Sequence, residues 1–147
     1  SGACETGAIR APAEQRQAMR EFGLRLGMAF QIVDDLLDYT GDATITGKPV
    51  GADLREHKVT LPLIYALPRL SARQRREVSA LMDTETPTDA QIAAGVEAVT
   101  ETGGLDYARD RAASLSTGAE AALEVLAPSP AREALRASIP FVLDRRS

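Results

Sequence analysis

The sequence predicts an all-α protein, a bundle of packed helices, on three observations. Apolar residues recur at spacings of three and four almost throughout, and no segment alternates convincingly as a β-strand. Ala, Leu and Glu are plentiful, whereas aromatic residues make up only 4% of the chain and Trp is absent, which suits packed helices better than a β-sandwich. Pairs of Gly and Pro residues fall between the periodic segments, where they break helices.

Composition excludes several classes of protein. The 147 residues are enough for one domain and too few to expect two. A net charge of −4 gives no reason to expect a nucleic-acid partner. No apolar run approaches the roughly 20 residues of a membrane-spanning helix, and there is no secretory signal pattern. Cys4 is the single cysteine; it rules out an internal disulfide and is interpreted as a small buried residue of a cytoplasmic protein.

The first part of the chain is predicted to contain two helices and a loop. Residues 2–10 have the pattern of a helix end that Ala11-Pro12 closes, and with no initiating Met this predicts a piece of a longer protein. A long helix follows from Pro12 to about Tyr39, with Gly41 as its stop signal. Its apolar positions are Met19, Phe22, Leu26, Phe30, Val33 and Leu37. Residues 41–52 contain three glycines and a proline, which predicts a loop.

The second part is predicted to contain a turn and five helices. Asp53 to His57 is expected to form a short turn. Thr60 is a candidate N-cap for a helix through Leu67, with Pro62 tolerated in its first turn. Further helices are predicted at 71–83, 88–102, 104–126 and 130–145. Thr88 and Gln91 have the spacing of a capping box.

Three aspartates interrupt the otherwise apolar end of the long helix. Asp34 and Asp38 lie at i and i+4, Asp35 lies three residues before Asp38, and Gln31 lies one turn earlier on the same side. Carboxylates at a helix C-terminus repel one another and oppose the helix dipole, at about 0.3–1 kcal/mol each. A bound cation would offset that cost, and carboxylates without His or Cys select Mg²⁺ rather than Zn²⁺. Because proteins share Mg²⁺ with substrate phosphates, the partner would be a phosphate ester or a diphosphate.

The alternative is that DDLLD is simply the solvated face of an amphipathic helix, the commoner meaning of such a pattern by itself. An EF-hand is excluded, because DDLLDYTGDATI lacks the alternating ligands and central Gly of that loop. Two lysines favour the metal interpretation. Lys48 lies on the loop that leaves the acidic helix end, and Lys58 follows about one turn past it. Cations there would complement the remaining oxygens of a diphosphate, although either lysine alone is typical of a solvated surface.

The strings FQIVDDLLDYTGD and GKPVGADLREHKVTLPLIYAL strongly resemble the trans-isoprenyl diphosphate synthases, also called polyprenyl synthetases. GACETGAI resembles the helix before the motif, and IPFVLDRRS resembles a C-terminus of that family. The resemblance implies the all-helical bundle of the isoprenoid synthase type, with a central cavity. It also implies a Mg²⁺-dependent prenyltransferase that condenses isopentenyl diphosphate with an allylic diphosphate to make a longer polyprenyl diphosphate.

The same resemblance assigns the charged residues. Asp34, Asp35 and Asp38 would form the second of two Asp-rich motifs and bind Mg²⁺ against the allylic diphosphate, with Asp34 the foremost direct ligand. Lys48 and Lys58 would contact that diphosphate. These five residues are the implied catalytic set.

Three more residues are assigned around them. Gln31 would hydrogen-bond near the allylic diphosphate, and Phe30 would line the cavity. Asp53 would orient one of the lysines or a metal-bound water from a second layer. His57, the single histidine, stands where many members of the family have Gly, and is expected to be a solvent-exposed turn residue.

The resemblance also shows what this chain lacks. The first Asp-rich motif, the arginines after it and the basic site for isopentenyl diphosphate normally lie upstream, so residues 1–147 are expected to be the C-terminal part of the family's domain. A basic cluster is present but lies elsewhere, and is interpreted as a solvated helix face. Its members are Arg69, Arg73, Arg75 and Arg76.

Two alternatives remain beside a prenyltransferase that is incompetent as this chain alone. One is a short non-catalytic homologue that acts as a binding or regulatory subunit of a prenyl synthase. The other is a terpene cyclase, which shares the DDxxD chemistry but not the GKPxGxDL and KxTLP context. Half of a bundle would expose apolar helix faces, so the chain is expected to form a dimer or larger homo-oligomer, or to need a missing N-terminal half.

Overall fold

A computed structural model describes residues 1–41 and 50–144 of the chain. The prediction of an all-α fold is confirmed, since every regular element in these two ranges is a helix. None of the helices in the same ranges is long and apolar enough to cross a membrane.

Eight α-helices occur within the described ranges, and short 3₁₀ turns extend two of them, at Leu67–Arg69 and Leu123–Val125. The helices are α1 (Gly2–Gly7), α2 (Ala13–Thr40), α3 (Ala52–Arg55), α4 (Leu61–Ala66), α5 (Ala72–Asp83), α6 (Asp89–Glu101), α7 (Gly104–Ala122) and α8 (Pro130–Leu143). The predicted boundaries hold within a few residues. The exceptions are α1, which ends before residue 10, the expected turn from Asp53 to His57, whose first three residues belong to α3, and the predicted helix 104–126, whose last part is a 3₁₀ turn. Most of the predicted loop 41–52, residues 42–49, lies outside the described residues.

Local sequence signals explain most of the helix ends. The capping box of α6 is present as predicted, with the hydroxyl of Thr88 accepting from the N–H of Gln91 and the Gln91 side chain reaching back. Ser71 makes the same arrangement with Gln74 at the start of α5. Thr60 does precede α4, but its side chain makes no capping bond. The predicted side-chain cap is therefore wrong in its chemistry although right in its position.

The chain divides into two compact units, and α2 and α7 each contribute to both. The first unit contains Ser1–Val33 and the chain from Asp110 to the last described residue. Its core is a cluster of Phe22, Ala119, Leu123 and Ile139. Cys4 packs against this cluster but is only half-buried. The prediction of a small buried cysteine is thus only partly correct.

The second unit contains Asp34–Arg109. Its most buried side chains are Leu54, Leu63, Leu81 and Val99. The close packing of α5 on α6 depends on Gly95, where an added Cβ would lie 3.1 Å from Leu81 and 3.2 Å from Leu54. This unit carries the aspartates of the predicted site.

The buried face of α2 differs from the predicted apolar stripe. Phe22 and Val33 are buried as the periodicity indicates. Phe30, however, is 40% exposed. The buried face is completed instead by the residues Ala18, Ala29, Ile32, Leu36 and Tyr39.

Candidate functional site

The three predicted aspartates lie on the last two turns of α2, in different surroundings. Asp34 is exposed, whereas Asp35 and Asp38 are partly buried. Helical spacing stacks Asp38 one turn beyond Asp34. The next charged residues of the site lie on and just after α3.

Asp38 binds the backbone at the start of α3 with both carboxylate oxygens. Its Oδ1 accepts the N–H of Ala52 and its Oδ2 accepts the N–H of Asp53, each at 3.0 Å. The N–H of Gly51 donates to the Asp38 carbonyl at 2.9 Å. Burial raises the pKa of the Asp38 carboxyl, although the two N–H donors oppose that rise by favouring the carboxylate.

Asp53 in turn holds Lys58. The Asp53 carboxylate lies 3.1 Å from the Lys58 ammonium, and the Lys58 N–H donates to the Asp53 carbonyl at 2.8 Å. The expectation that Asp53 orients a lysine therefore has a matching contact. A second carboxylate, Glu56, lies 2.7 Å from the same ammonium. Hydrogen bonds from Lys58 to Glu56 and then to Asp53 raise the pKa of the ammonium.

A buried phenol borders the acidic residues. The side chain of Tyr39 is 4% exposed, and its hydroxyl lies 3.4 Å from that of Thr60. Burial, together with the negative charges of Asp38, Asp53 and Asp35, raises the pKa of Tyr39 to about 12. The phenol is therefore neutral at physiological pH.

His57 differs from its expected role of an exposed turn residue. Its φ is 57°, in the left-handed region that Gly adopts without steric cost. Its ring is partly buried, and Nε2 lies 3.0 Å from the carbonyl oxygen of Thr84. The expectation of an exposed turn residue is therefore only partly correct: His57 lies in a turn, but its partly buried ring ties that turn to the end of α5.

Three more residues were predicted to belong to the site. Lys48 lies outside the described residues. Phe30 and Gln31 lie on α2 about one turn before the aspartates, and both side chains are exposed. Their predicted roles toward a diphosphate and a cavity stay predictions.

The basic cluster after α4 has its own structural partners. The Arg69 guanidinium lies 3.5 Å from the centre of the Tyr65 ring and donates to the Tyr65 carbonyl. Arg73 pairs with Glu77 at 3.6 Å, and Arg75 donates to the Leu67 carbonyl. All four arginines of the cluster are exposed. These contacts agree with the interpretation of a solvated face.

The donor chemistry fits Mg²⁺ shared with a ligand better than a closed protein cage. Within residues 1–41 and 50–144, no three His, Cys, Asp or Glu side chains come together as a metal site. Asp34 and Asp35 offer carboxylate oxygens, which a hard cation prefers. Mg²⁺ is commonly held by one or two carboxylates and completed by waters and substrate phosphates. Two carboxylates on this helix end satisfy that requirement.

Sequence reasoning missed Tyr39, Thr60 and Glu56. Glu56 lies two residues before Lys58. In a helix or an ordinary turn, side chains at that spacing do not lie on the same side. The two meet because His57 between them has a positive φ. The signal that could have found this pair is the unusual His at a position where the resemblance expects Gly.

A comparison with protein families matches residues 1–99 to the model described as Polyprenyl synthetase. Among curated proteins, the chain is 40% identical over 132 residues to the all-trans-nonaprenyl-diphosphate synthase (geranyl-diphosphate specific) of Rhodobacter capsulatus, covering 90% of this chain and 40% of that protein. It is 38% identical over 122 residues to the octaprenyl diphosphate synthase of Escherichia coli (strain K12), covering 83% of this chain and 38% of that protein. The chain therefore spans about two fifths of the length of these relatives.

Solved structures agree with these relatives. A decaprenyl diphosphate synthase from Rhodobacter capsulatus matches with a TM-score of 0.84 and 33% identity over 97% of this chain and 44% of its own. A polyprenyl synthase from Caulobacter crescentus CB15, complexed with calcium and isoprenyl diphosphate, matches with a TM-score of 0.86 and 36% identity over the same shares. The predicted helical fold of the isoprenoid synthase type is thereby confirmed.

Proposed function

The chain belongs to the polyprenyl synthetase family, and from that premise we propose that it is part of a Mg²⁺-dependent polyprenyl diphosphate synthase. The reaction would condense isopentenyl diphosphate with an allylic diphosphate. The observation that carries the proposal is the pairing of an acidic helix end with a held cation. Asp34, Asp35 and Asp38 end α2, and Lys58 is held 3.1 Å from Asp53 on the adjoining element.

Each described residue has a part in binding the substrate diphosphate. Asp34 and Asp35 would hold Mg²⁺, which supplies positive charge against the departing diphosphate. Lys58 would contact the diphosphate oxygens directly, and Lys48, outside the described residues, is proposed for the same task. Asp38 was predicted as a third ligand, but its oxygens already accept two backbone N–H groups. It is the ligand that the geometry supports least.

The lysine is prepared for this task by its two carboxylate partners. A lysine is already protonated at neutral pH, so Lys58 can donate to an anion, and the contacts with Glu56 and Asp53 raise its pKa above the ordinary value. Asp53 holds the ammonium while leaving its other N–H groups available. Glu56 is 62% exposed, so an entering diphosphate could displace it at little cost.

In the proposed reaction the allylic C–O bond breaks, and its electron pair leaves with the diphosphate. The double bond of isopentenyl diphosphate then forms the new C–C bond with the allylic cation. Loss of one proton from the resulting cation restores an alkene that is one isoprene unit longer. An apolar cavity that excludes water would protect the cation, and Phe30 is the described residue proposed to line it.

The experiment is a turnover assay of the intact protein with both diphosphates and Mg²⁺. Asp34→Asn is expected to lower kcat/KM by about 10²-fold or more, a loss typical of removing one charge-stabilising group. Asp110→Asn, which removes an exposed carboxylate on α7, is the matched control and should change little. The 147-residue chain alone is expected to form no product.

Two results would contradict the proposal. Robust turnover by Asp34→Asn would remove the predicted metal ligand from the reaction. An intact protein that binds Mg²⁺ and diphosphate but forms no product would favour the non-catalytic subunit instead.

A further inference from the structure

The last aspartate of the acidic motif serves a short helix. The first N–H groups of any helix lack partners within the helix and are satisfied by a cap. The N-cap residue of α3 is Gly51, which has no side chain to accept a hydrogen bond. Asp38 takes that place from another element, accepting the N–H groups of Ala52 and Asp53 while its carbonyl accepts that of Gly51.

A chain of contacts leads from this cap to the cation. Asp53, whose N–H binds Asp38, holds the Lys58 ammonium at 3.1 Å with its side chain. Its carbonyl also accepts the Lys58 N–H at 2.8 Å. The positions of both groups therefore depend on where the first turn of α3 lies relative to the end of α2.

The opposite side of α3 is also tied down. The Arg55 guanidinium donates to the Pro87 carbonyl at 2.9 Å and pairs with Asp89 at 2.7 Å. His57 contacts the Thr84 carbonyl. These bonds fix α3 to the connection between α5 and α6. The two bonds of the Asp38 carboxylate tie the start of α3 to the aspartate-bearing helix.

Two N–H groups hold both Asp38 oxygens toward the start of α3. Each oxygen keeps a further lone pair, but the partial positive charge of the two hydrogens weakens the attraction of this carboxylate for a cation. Asp34, one turn earlier on the same side of the helix, is exposed, whereas Asp38 is partly buried against the start of α3. The acidic motif thus contains carboxylates in two different situations.

We propose that Asp38 is a positioning residue: it caps α3 and thereby places Asp53 and Lys58 for the diphosphate, while Asp34 and Asp35 hold the metal. This inference rests on the proposed function for its ligand. It divides the motif into two metal-binding carboxylates and one structural anchor.

The test compares the intact protein with Asp38→Asn, Lys58→Ala and the double variant, using inorganic pyrophosphate and Mg²⁺ in titration calorimetry. Asn keeps one acceptor oxygen but turns an NH₂ group toward the second backbone N–H. At saturating Mg²⁺, Asp38→Asn and Lys58→Ala are each expected to weaken pyrophosphate binding about tenfold. The double variant should be no weaker than Lys58→Ala, because Asp38 acts through the lysine.

A Mg²⁺ titration at a pyrophosphate concentration that saturates every variant separates an anchor from a ligand, because weaker pyrophosphate binding would otherwise move the Mg²⁺ midpoint as well. Asp38→Asn should leave the Mg²⁺ midpoint within about twofold, whereas Asp34→Asn should shift it by about tenfold or more. Asp110→Asn controls for the loss of one negative charge. A Mg²⁺ midpoint that moves as far in Asp38→Asn as in Asp34→Asn would overturn the proposal, as would multiplied losses in the double variant.

Amide hydrogen exchange tests in the absence of any ligand whether Asp38 anchors α3. The amides of Ala52 and Asp53 should exchange faster in Asp38→Asn and at the wild-type rate in Asp34→Asn. If Asp38→Asn does not fold, Asp38→Ser, which keeps a shorter uncharged acceptor, replaces it with the same expectations. A wild-type protein that binds no pyrophosphate would contradict the proposed function. The exchange comparison would then decide by itself whether Asp38 anchors α3. Exchange of the Ala52 and Asp53 amides at the wild-type rate in Asp38→Asn would overturn the proposed anchor.

Discussion

At the scale of single residues, Gly51 and Gly103 share a backbone conformation but differ in their surroundings. Their φ angles are 80° and 75°, and an L-residue pays about 1–2 kcal/mol there. A Cβ at Gly51 would collide with the Ile92 Cγ2, whereas a Cβ at Gly103 would meet nothing within 4 Å. Alanine substitutions at the two glycines therefore separate the cost of backbone strain from the cost of a steric clash.

Gly51→Ala is therefore expected to lower the free energy of unfolding more than Gly103→Ala. The second change should cost about 1–2 kcal/mol from strain alone. The first should add about 1–3 kcal/mol, because the branched Ile92 side chain has little room to move away. Urea unfolding of both variants gives the two values. Equal losses would show that α6 yields at Ile92 and that the close approach costs nothing.

The residue contacts of the site were predictable only where they are local. Asp53 and Lys58 are five residues apart, and a turn between them is enough to bring their charges together. The bonds of Asp38 to Ala52 and Asp53 join residues 14 and 15 positions apart. Sequence periodicity does not predict such a cap, because only the tertiary fold brings residues this far apart in the chain together.

At the scale of elements, α8 is held by a charged group that is almost buried. Arg132 is 8% exposed; its guanidinium donates to the Leu126 carbonyl at 3.0 Å and pairs with Glu124 at 2.6 Å. Arg136, one turn along, also contacts Glu124. Charge pairing with Arg132 lowers the pKa of the Glu124 carboxyl, and Arg136 lowers it further.

This pairing predicts a pH dependence of stability. A carboxyl with a folded pKa below its unfolded value stabilises the fold above the unfolded pKa, and that stability is lost as pH falls through the folded pKa. Glu124→Gln should therefore lower the melting temperature at neutral pH. The difference from wild type should shrink as pH falls below the usual pKa of a glutamate, and it should vanish below the lowered pKa of Glu124 in the folded protein, where the wild-type carboxyl is also uncharged.

Thermal unfolding across the acid range measures this difference. Glu120→Gln is the control, since Glu120 pairs only with Arg136 and both side chains are partly exposed. It should change the melting temperature little at any pH. A Glu124→Gln deficit that persists unchanged into acid would mean that the side chain supports α8 by packing rather than by charge.

The elements themselves were largely predictable, because local signals end them. The Thr88–Gln91 box and Gly41 mark helix ends without help from the rest of the fold. Burial was less predictable. A sequence places Arg132 at the surface, and only the neighbouring carbonyl and carboxylate make its burial tolerable. The hydroxyl of Thr60 lies near buried Tyr39 instead of capping α4, a tertiary contact replacing the local one.

At the scale of the whole molecule, the family could be inferred from one ordered string, whereas the division into two units could not. The units share α2 and α7, so no linker or change of composition marks their boundary. The helical periodicity of the sequence continues without a break at the positions in α2 and α7 where the chain passes from one unit to the other. Exposed apolar residues are a further feature of the whole chain, and they affect whether the chain associates with other copies of itself.

The 147-residue chain by itself is expected to self-associate. Leu24 and Met28 lie one turn apart on α2, and each is 44% exposed; on α8, Phe141 is 76% exposed. Apolar faces of this kind favour burial against another protein surface. Light scattering should therefore give a mean mass above the 15.7 kDa of one chain, rising with concentration.

Substitution locates the responsible face. Leu24→Gln with Met28→Gln should lower the mean mass toward that of the monomer. Val59→Gln with Ile64→Gln, at two positions that are each 53% exposed, is the matched control and should leave it unchanged. Equal effects of the two pairs would assign the association to general hydrophobicity instead of to α2. A concentration-independent monomer in the unsubstituted chain would contradict the prediction, because the exposed side chains of α2 would then be tolerated in water.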